Sequence, residues 1–426
     1  MNILFVSPYP PSRIRVRGYG FVQHLRRNHS VTILTQVASQ QEWEDVAMLR
    51  AQGYEVIPVA AAKGQALIRS GLALFSAYPL QGAYARSPLF LHAVRKLCNE
   101  RHFDVIHVEH LRGIASMESL IGEYPLVWDA VDCISQLWKQ TALRGTSVAL
   151  RCLASIEVGR TERYERQLVN KNAHIITVSK IDGQAMNALS LPVLQECSQV
   201  EDAKITVIPN GVELEYFYPT GQEYRQYNIA FSGKMSYHAN VAAASYLYRE
   251  IMPRIWQEQP AATLTIVGSK PPKFMQQWAL DPRVEVTGYV DDMRPYIRRA
   301  HLMMSPMVYS VGLQNKVLEA MALGTPTVIS PQSAAALEVQ GGYDTLIAHS
   351  AEEFAACALH LMHNKTLRDA LSVRGRRYVE QKHNWQVITE QLVHVYRRTI
   401  TGETANHHSP IPEVFTTTSI KKKFPV

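Results

Sequence analysis

Residues 305–331, SPMVYSVGLQNKVLEAMALGTPTVISP, combine the residue types and spacing needed to hold a phosphorylated ligand. A strand ending at Pro306, a loop through Gly312 and a helix opening near Asn315 would point unpaired backbone N–H groups at the C-terminal edge of a sheet. A phosphate there is stabilised by those amides and by the helix dipole. Lys316 adds a point charge in the first turn, and Glu319, about one turn further on, can accept from ribose hydroxyls. Val317, Leu318 and Met321 would pack the helix on its sheet, and Gly324 would end it. The same spacing also fits an ordinary amphipathic helix with a solvent-facing glutamate.

Three further segments carry candidate chemistry. In SRIRVRGYG (12–20), Arg13, Arg15 and Arg17 alternate ahead of Gly18 and Gly20. This is a pattern suited to an anionic acceptor such as a lipid diphosphate head group, or to an exposed basic loop. HVEH (107–110) ends a strand, and alternation lets only one of Glu109 and His110 face a given side. Asp129 and Asp132 in WDAVD lie at another strand end, where either could orient an acceptor hydroxyl or cap the next helix. Gly268 in IVGS permits a close backbone approach to a ligand, or a plain turn.

These segments need strands to hold them. Short apolar runs at 3–7, 31–36, 54–60, 104–109, 125–132 and 174–179 alternate with helical patterns, including a long charged helix over 148–171. A second series begins near 205, with strands at 205–211, 228–234, 263–269, 284–290, 301–306, 326–331 and 345–350. Such alternation predicts two α/β domains on mostly parallel, doubly wound sheets. The expected division is one Rossmann-like domain over 1–205 and a second over 206–383, with a linker within 210–226. A crossover helix over 384–402 would return to the N-terminal domain, and a disordered tail would fill 403–426.

Composition narrows the class. The 426 residues are 46 % hydrophobic and 19 % charged, a globular balance that excludes a disordered or fibrous chain. Five dispersed cysteines without CxxC spacing fit reduced thiols in the cytoplasm rather than a disulfide or zinc framework. The N-terminus MNILFVSPYPP lacks the basic and long apolar regions of a signal peptide. A net charge of +7 suits phosphorylated ligands or an anionic membrane surface, on whose inner face the protein would be peripheral. No motif accompanies the charge that would point to nucleic acid. RGYGFVQ lacks the third glycine of a dinucleotide fingerprint.

LEAMALGTPTV, preceded by G-x-x-N-K, resembles the C-terminal domain of glycosyltransferase family 4. VIPNGVELEYFYP, AFSGKMSYHANVAAASYL, LTIVGSKP and VEVTGYVDDMRPYI follow in the order that family shows. The resemblance covers 205–385 well and 1–180 more loosely. It implies a GT-B fold of two facing Rossmann-like domains, with the acceptor on the N-terminal one and the nucleotide sugar on the C-terminal one, and a retaining, metal-independent enzyme with no cofactor. That enzyme would use a nucleotide-diphosphate sugar as donor, UDP-sugar favoured over GDP-sugar. The acceptor would be a glycan or a lipid-linked glycan in exopolysaccharide or cell-surface synthesis. Glu319 matches the second Glu of the family's E-x7-E motif, the ribose contact, but the first Glu is replaced by Val311. Backbone around Gly312 and Leu313, with Gln314 and Asn315, would take over the sugar contacts. Lys234, beside Gly233, stands where the family often has Arg, and Lys316 would complete a cationic pair on the leaving diphosphate. Tyr289 and Val290 match the position flanking the nucleobase, with strand packing as the alternative. Glu109 or His110 would take the place of a cleft histidine. Val311 keeps open a chain that binds a nucleotide sugar without transferring it, or that serves as a pathway scaffold.

Overall fold

The computed structural model describes residues 1–61, 64, 71, 73, 76–145, 147–172, 174–190, 204–221, 225–309 and 312–402. Val311 and the 403–426 tail, expected to be disordered, lie outside them.

The first sheet comprises β1 (Asn2–Ser7), β2 (Ser30–Val37), β3 (Glu55–Ala60), β4 (Val105–Glu109), β5 (Leu126–Val131), β6 (His174–Thr177) and β7 (Ile205–Val207). Its spatial order is β3-β2-β1-β4-β5-β6-β7, with every pairing parallel. The second comprises β8 (Asn228–Ser232), β9 (Thr263–Val267), β10 (Val284–Val286), β11 (Leu302–Ser305), β12 (Thr327–Ile329) and β13 (Leu346–Ile347). Its order is β10-β9-β8-β11-β12-β13, again all parallel. The strands are near-continuous apolar runs because helices cover both faces; β4 and β8 are buried at every position. Each sheet reverses its winding once, between β1 and β4 and between β8 and β11. The crevice beyond the strand C-termini at that point is the ligand position of a doubly wound sheet.

Two boundaries differ from expectation. β7 pairs with β6 and completes the first sheet, so the chain leaves the N-terminal domain after Val207 rather than at 205. β10 stops at Val286, short of the expected 290, because Gly288 turns the chain at φ +70°. The sequence pattern also gave no helix over Ile134–Arg144, which follows β5.

The Trp385–Thr401 helix returns to the N-terminal domain as expected. Trp385, Ile388, Leu392, Val395 and Tyr396 join the core of Ile3, Phe5, Phe21, Leu25 and Ile33. Its anchor is Trp385, wedged against two glycines: a side chain on Gly20 would begin 2.1 Å from the indole, and one on Gly211 2.5 Å. Gly20 therefore serves this docking rather than admitting acceptor or phosphate. The domains also meet where the Asn210 amide donates to Asn315 Oδ1 at 2.9 Å. His383 Nδ1 lies 2.7 Å from the Asn210 carbonyl.

Candidate active site

On the C-terminal side, the site grows from two loops packed main chain to main chain. Gly233 follows β8 and Gly268 follows β9, at φ +153° and +154°. A side chain on Gly268 would begin 1.8 Å from the Gly233 carbonyl oxygen, so only glycine lets the loops meet. Gly233 N–H donates to Val267 O, and Met235 N–H to Ser269 O. Asn240 secures the first loop by donating to the Lys234 carbonyl at 3.0 Å. Lys234 itself is exposed at the rim.

The Asn315–Ala322 helix closes this crevice after β11. No side chain caps its first turn; Gln314 precedes it without a capping hydrogen bond. Lys316 reaches back to the glycine loop, where Nζ donates to Asn240 Oδ1 at 2.6 Å and lies 4.6 Å from the Phe231 ring centroid. Burial pulls its pKa down to about 7, with Glu319 opposing the shift. Burial likewise raises the Glu319 carboxyl to about 7. A cation held by a neutral amide beside an uncapped helix start is arranged to receive an anion.

Lys316 and Glu319 open onto different spaces. Asn315 and Glu319 share one helical face and line a cavity of about 230 Å³ at the domain hinge, with Arg13, Tyr19, Tyr216 and Trp385. Arg13 is exposed and stacks 4.3 Å over Tyr216. The helix thus turns its cation to the glycine loops and its carboxylate to the hinge. Leu313 packs in the small cluster around Val317 and Met321, and Gln314 is buried. Tyr289 is 69 % exposed, and Val290 lines a separate depression with Arg225 and Glu285.

The N-terminal wall departs most from the expected site. Arg17 is buried: Nε donates to Asp129 Oδ2 at 2.7 Å and Nη1 to Ile208 O and Asn210 Oδ1. His107 Nε2 lies 3.5 Å from the same Asp129 oxygen. Burial opposes the Asp129 charge, but Arg17 and His107 outweigh it and hold this carboxyl below its ordinary range. Arg17 and Asp129 neutralise each other inside the wall, where neither can meet an acceptor. Gly18 allows the first helix to approach Glu109: a side chain there would begin 2.9 Å from Oε2. Glu109 accepts from Ser7 Oγ at 2.6 Å, and burial lifts its carboxyl to about 7. His110 sits at φ +67°, accepts from Arg112 N–H, and is held down to about 3 by burial and Arg112.

Some site residues were not singled out from sequence. His238 Nδ1 is 2.8 Å from Tyr309 Oη, tying the β8 loop to the β11 loop. Ser232 and Ser305 stand at the ends of the paired strands β8 and β11, their buried hydroxyls without a hydrogen-bond partner among the described residues. Their place at the switch point is a signal, but only once strand order is known. Asp182 accepts from Cys133 N–H at 3.0 Å and from the Ser179 hydroxyl.

No curated protein sequence matches the chain. Solved structures share its architecture at low identity. Anabaena Alr3699/HepE in complex with UDP-glucose aligns at TM-score 0.66 and 14 % identity, over 93 % of this chain and 99 % of that one. The same protein with UDP aligns at 0.63 and 13 %, over 93 % and 100 %. Sucrose-phosphate synthase from Thermosynechococcus elongatus aligns at 0.65 and 15 %, over 95 % and 100 %. The chain has the GT-B fold, and its residues 226–364 match the family described as glycosyl transferases group 1.

Proposed function

We propose that this protein transfers a sugar from a nucleotide-diphosphate donor, a UDP-sugar before a GDP-sugar, to a glycan or lipid-linked acceptor. Retention at the anomeric carbon, independence of metal and a role in exopolysaccharide or cell-surface glycan synthesis complete the proposal. The observation that carries it is Lys316. A half-buried cation, partnered by the neutral Asn240, faces a glycine cradle at the uncapped start of a helix, at the switch point of a parallel sheet. The match over 226–364 and the UDP-glucose bound to Alr3699/HepE support the donor class.

In this reading the donor diphosphate lies between the Gly233 and Gly268 loops and the Asn315 N–H groups. Lys316, with Lys234 at the rim, offsets charge as it develops on the leaving diphosphate. Glu319 accepts from the ribose hydroxyls, and Tyr289 flanks the base. The N-terminal wall, with Glu109 and His110 at its strand ends and Arg13 at the hinge, receives the acceptor. Closure of the walls excludes water from the transfer.

A membrane-bound acceptor pool fits a second feature. Leu143, Val148 and Ile156 stand exposed at the corner between the Ile134–Arg144 and Val148–Lys171 helices, beside exposed Arg151. Residues 133–156 contain no Asp or Glu. An apolar, acid-free corner suits an anionic lipid surface. Among the described residues no helix is long and apolar enough to cross a membrane.

The test is thermal stabilisation by UDP-, GDP-, ADP- and dTDP-sugars, with and without EDTA. One nucleotide class should stabilise the chain by mass action, unchanged by EDTA. Stabilisation by none, or only with added metal, contradicts the reading. Stabilisation without transfer or donor hydrolysis points instead to a non-catalytic binder.

A further inference from the structure

The strands β8, β9 and β10 step in one direction toward the outer edge of the second sheet. The helices that join them therefore lie on a single face. Alternation sends Ile229, Phe231, Leu264, Ile266 and Val284 to that face, into the core with Met252, Ile255 and Trp278. The register puts Asn228, Thr263, Thr265 and Glu285 on the other face. There the chain returning from β10 forms one short helix, Arg294–Arg298. Its Ile297 packs with Met303 of β11, so among the described residues no helix covers β9 and β10 on this side.

A cavity of about 630 Å³ occupies the uncovered face, within the size range of ligand pockets. Its floor is polar yet sealed: Asn228 and Thr265 are each 2 % exposed. Asn228 Nδ2 donates to the Thr263 and Thr265 hydroxyls at 2.9 and 3.0 Å. Those bonds fix the amide and leave its carbonyl oxygen as the atom able to serve the cavity. Glu285 receives Arg225 Nη1 at 3.2 Å and the Thr265 hydroxyl at 3.4 Å, both on Oε2. Half-buried Tyr296 lines the wall, and Asp291 and Arg299 are exposed at the mouth. Asp292, also in the wall, is held by Arg294 through both its oxygens. Charges on an edge strand discourage pairing with another chain, but a sealed Asn228 and Thr265 add nothing to that defence.

The lining selects a class of ligand. A phosphate would meet the carboxylates of Glu285, Asp291 and Asp292. An apolar molecule would cover Asn228 and Glu285 without bonding them. Acids, an amide and guanidinium groups interleaved around one tyrosine suit a molecule whose every polar group both donates and accepts. Sugar hydroxyls do this, and the apolar face of a sugar ring can lie on the body of Tyr296. We propose that this cavity binds a neutral oligosaccharide, a glycan site apart from the cleft between the domains. It shares no lining residue with the hinge cavity at Glu319, and the inference does not rest on the donor reading.

The full chain is titrated with maltotriose, cellotriose and mannotriose, and with glucose and mannose, by saturation-transfer NMR. Hydrogen exchange then locates the bound sugar. The expected result is a trisaccharide that binds more tightly than its monosaccharide, protects 284–299 and is not displaced by saturating UDP. Glu285→Gln and Tyr296→Ala should each weaken it by about tenfold and leave UDP affinity within about twofold of the parent protein. Glu285→Gln keeps the side-chain shape and carries the test should Tyr296→Ala lose the fold. Binding of no sugar, displacement by UDP, or indifference to Glu285→Gln overturns the proposal. So does equal affinity for monosaccharide and trisaccharide, which marks a free-sugar site. Protection of 284–299 by inorganic phosphate and by no sugar marks an anion site and overturns it too. A chain that binds the trisaccharide here but no nucleotide sugar overturns the donor reading alone; the converse overturns this inference alone.

Discussion

The two walls of the cleft treat charge in opposite ways. In the N-terminal wall most charged groups find protein partners: Arg17 with Asp129 and His107, Glu109 with Ser7, Arg15 with Glu42 at 2.5 Å. In the C-terminal wall, glycines at the strand ends expose backbone, and the half-buried Lys316 leans on the neutral amide of Asn240. Groups that neutralise each other fix the shape of a wall. A group left without an opposite charge is free to change partners when a ligand arrives. Basicity alone therefore misleads: the arginine-rich loop after β1 is largely spent on structure, and the lysine-poor crevice opposite is where the anion site is proposed.

That difference yields predictions of decreasing size. Breaking the buried pair should cost most. Asp129→Ala strands the Arg17 charge and should lower stability by about 3–5 kcal/mol in urea unfolding. The double substitution Arg17→Met with Asp129→Leu should recover most of that loss; no recovery would mean that the pair is not the source of the cost. Next comes the interlock of the crossover helix. Gly20→Val would collide with Trp385 and should cost about 1–3 kcal/mol by thermal unfolding. A neutral result would place the Trp385–Thr401 helix elsewhere.

In the opposite wall, Lys316→Met should weaken UDP binding by about 1.5–3 kcal/mol in calorimetry and leave uridine unaffected. Equal losses for UDP and uridine would break the contrast between the walls. Titration sharpens it. Lys316 falls from 10.5 to about 7, so the folded chain holds fewer protons than the unfolded one between these values, and stability is lost as pH falls through that window. Glu319 rises from 4.5 to about 7, so the folded chain holds more protons there, and stability is lost as pH rises through it. Both strains meet near pH 7. Lys316→Met and Glu319→Gln should therefore each stabilise the unliganded protein at pH 7, by about 1 kcal/mol, while weakening the ligand. UDP affinity should fall between pH 6 and 8.5 as Lys316 loses its proton, and Lys316→Arg should flatten that slope. An unchanged slope in Lys316→Arg would assign the titration to another group.

The architecture was legible because strands of a parallel sheet buried on both faces read as apolar runs, as ILFVS and NIAFS do. The Asn315–Ala322 helix, with Lys316 and Glu319, followed from spacing alone. The opposed directions of those two side chains did not, because the cavity at Glu319 is built from distant Arg13, Tyr19 and Trp385. Nor did the fates of Asp129, sealed against Arg17, and Asp132, set against Gly312 of the other domain. One strained residue, Val131 at φ +65°, divides them, and nothing in WDAVD marks it. Gly20 looked like a ligand loop because its partner, Trp385, lies at the far end of the chain.

Hydrogen exchange of the full chain, with and without a saturating nucleotide sugar, tests the contrast most directly. Protection should appear over 233–240 and 312–319 and leave the Arg17 and Asp129 segments unchanged. Protection centred on residues 12–20, or none in the C-terminal wall, would contradict the account.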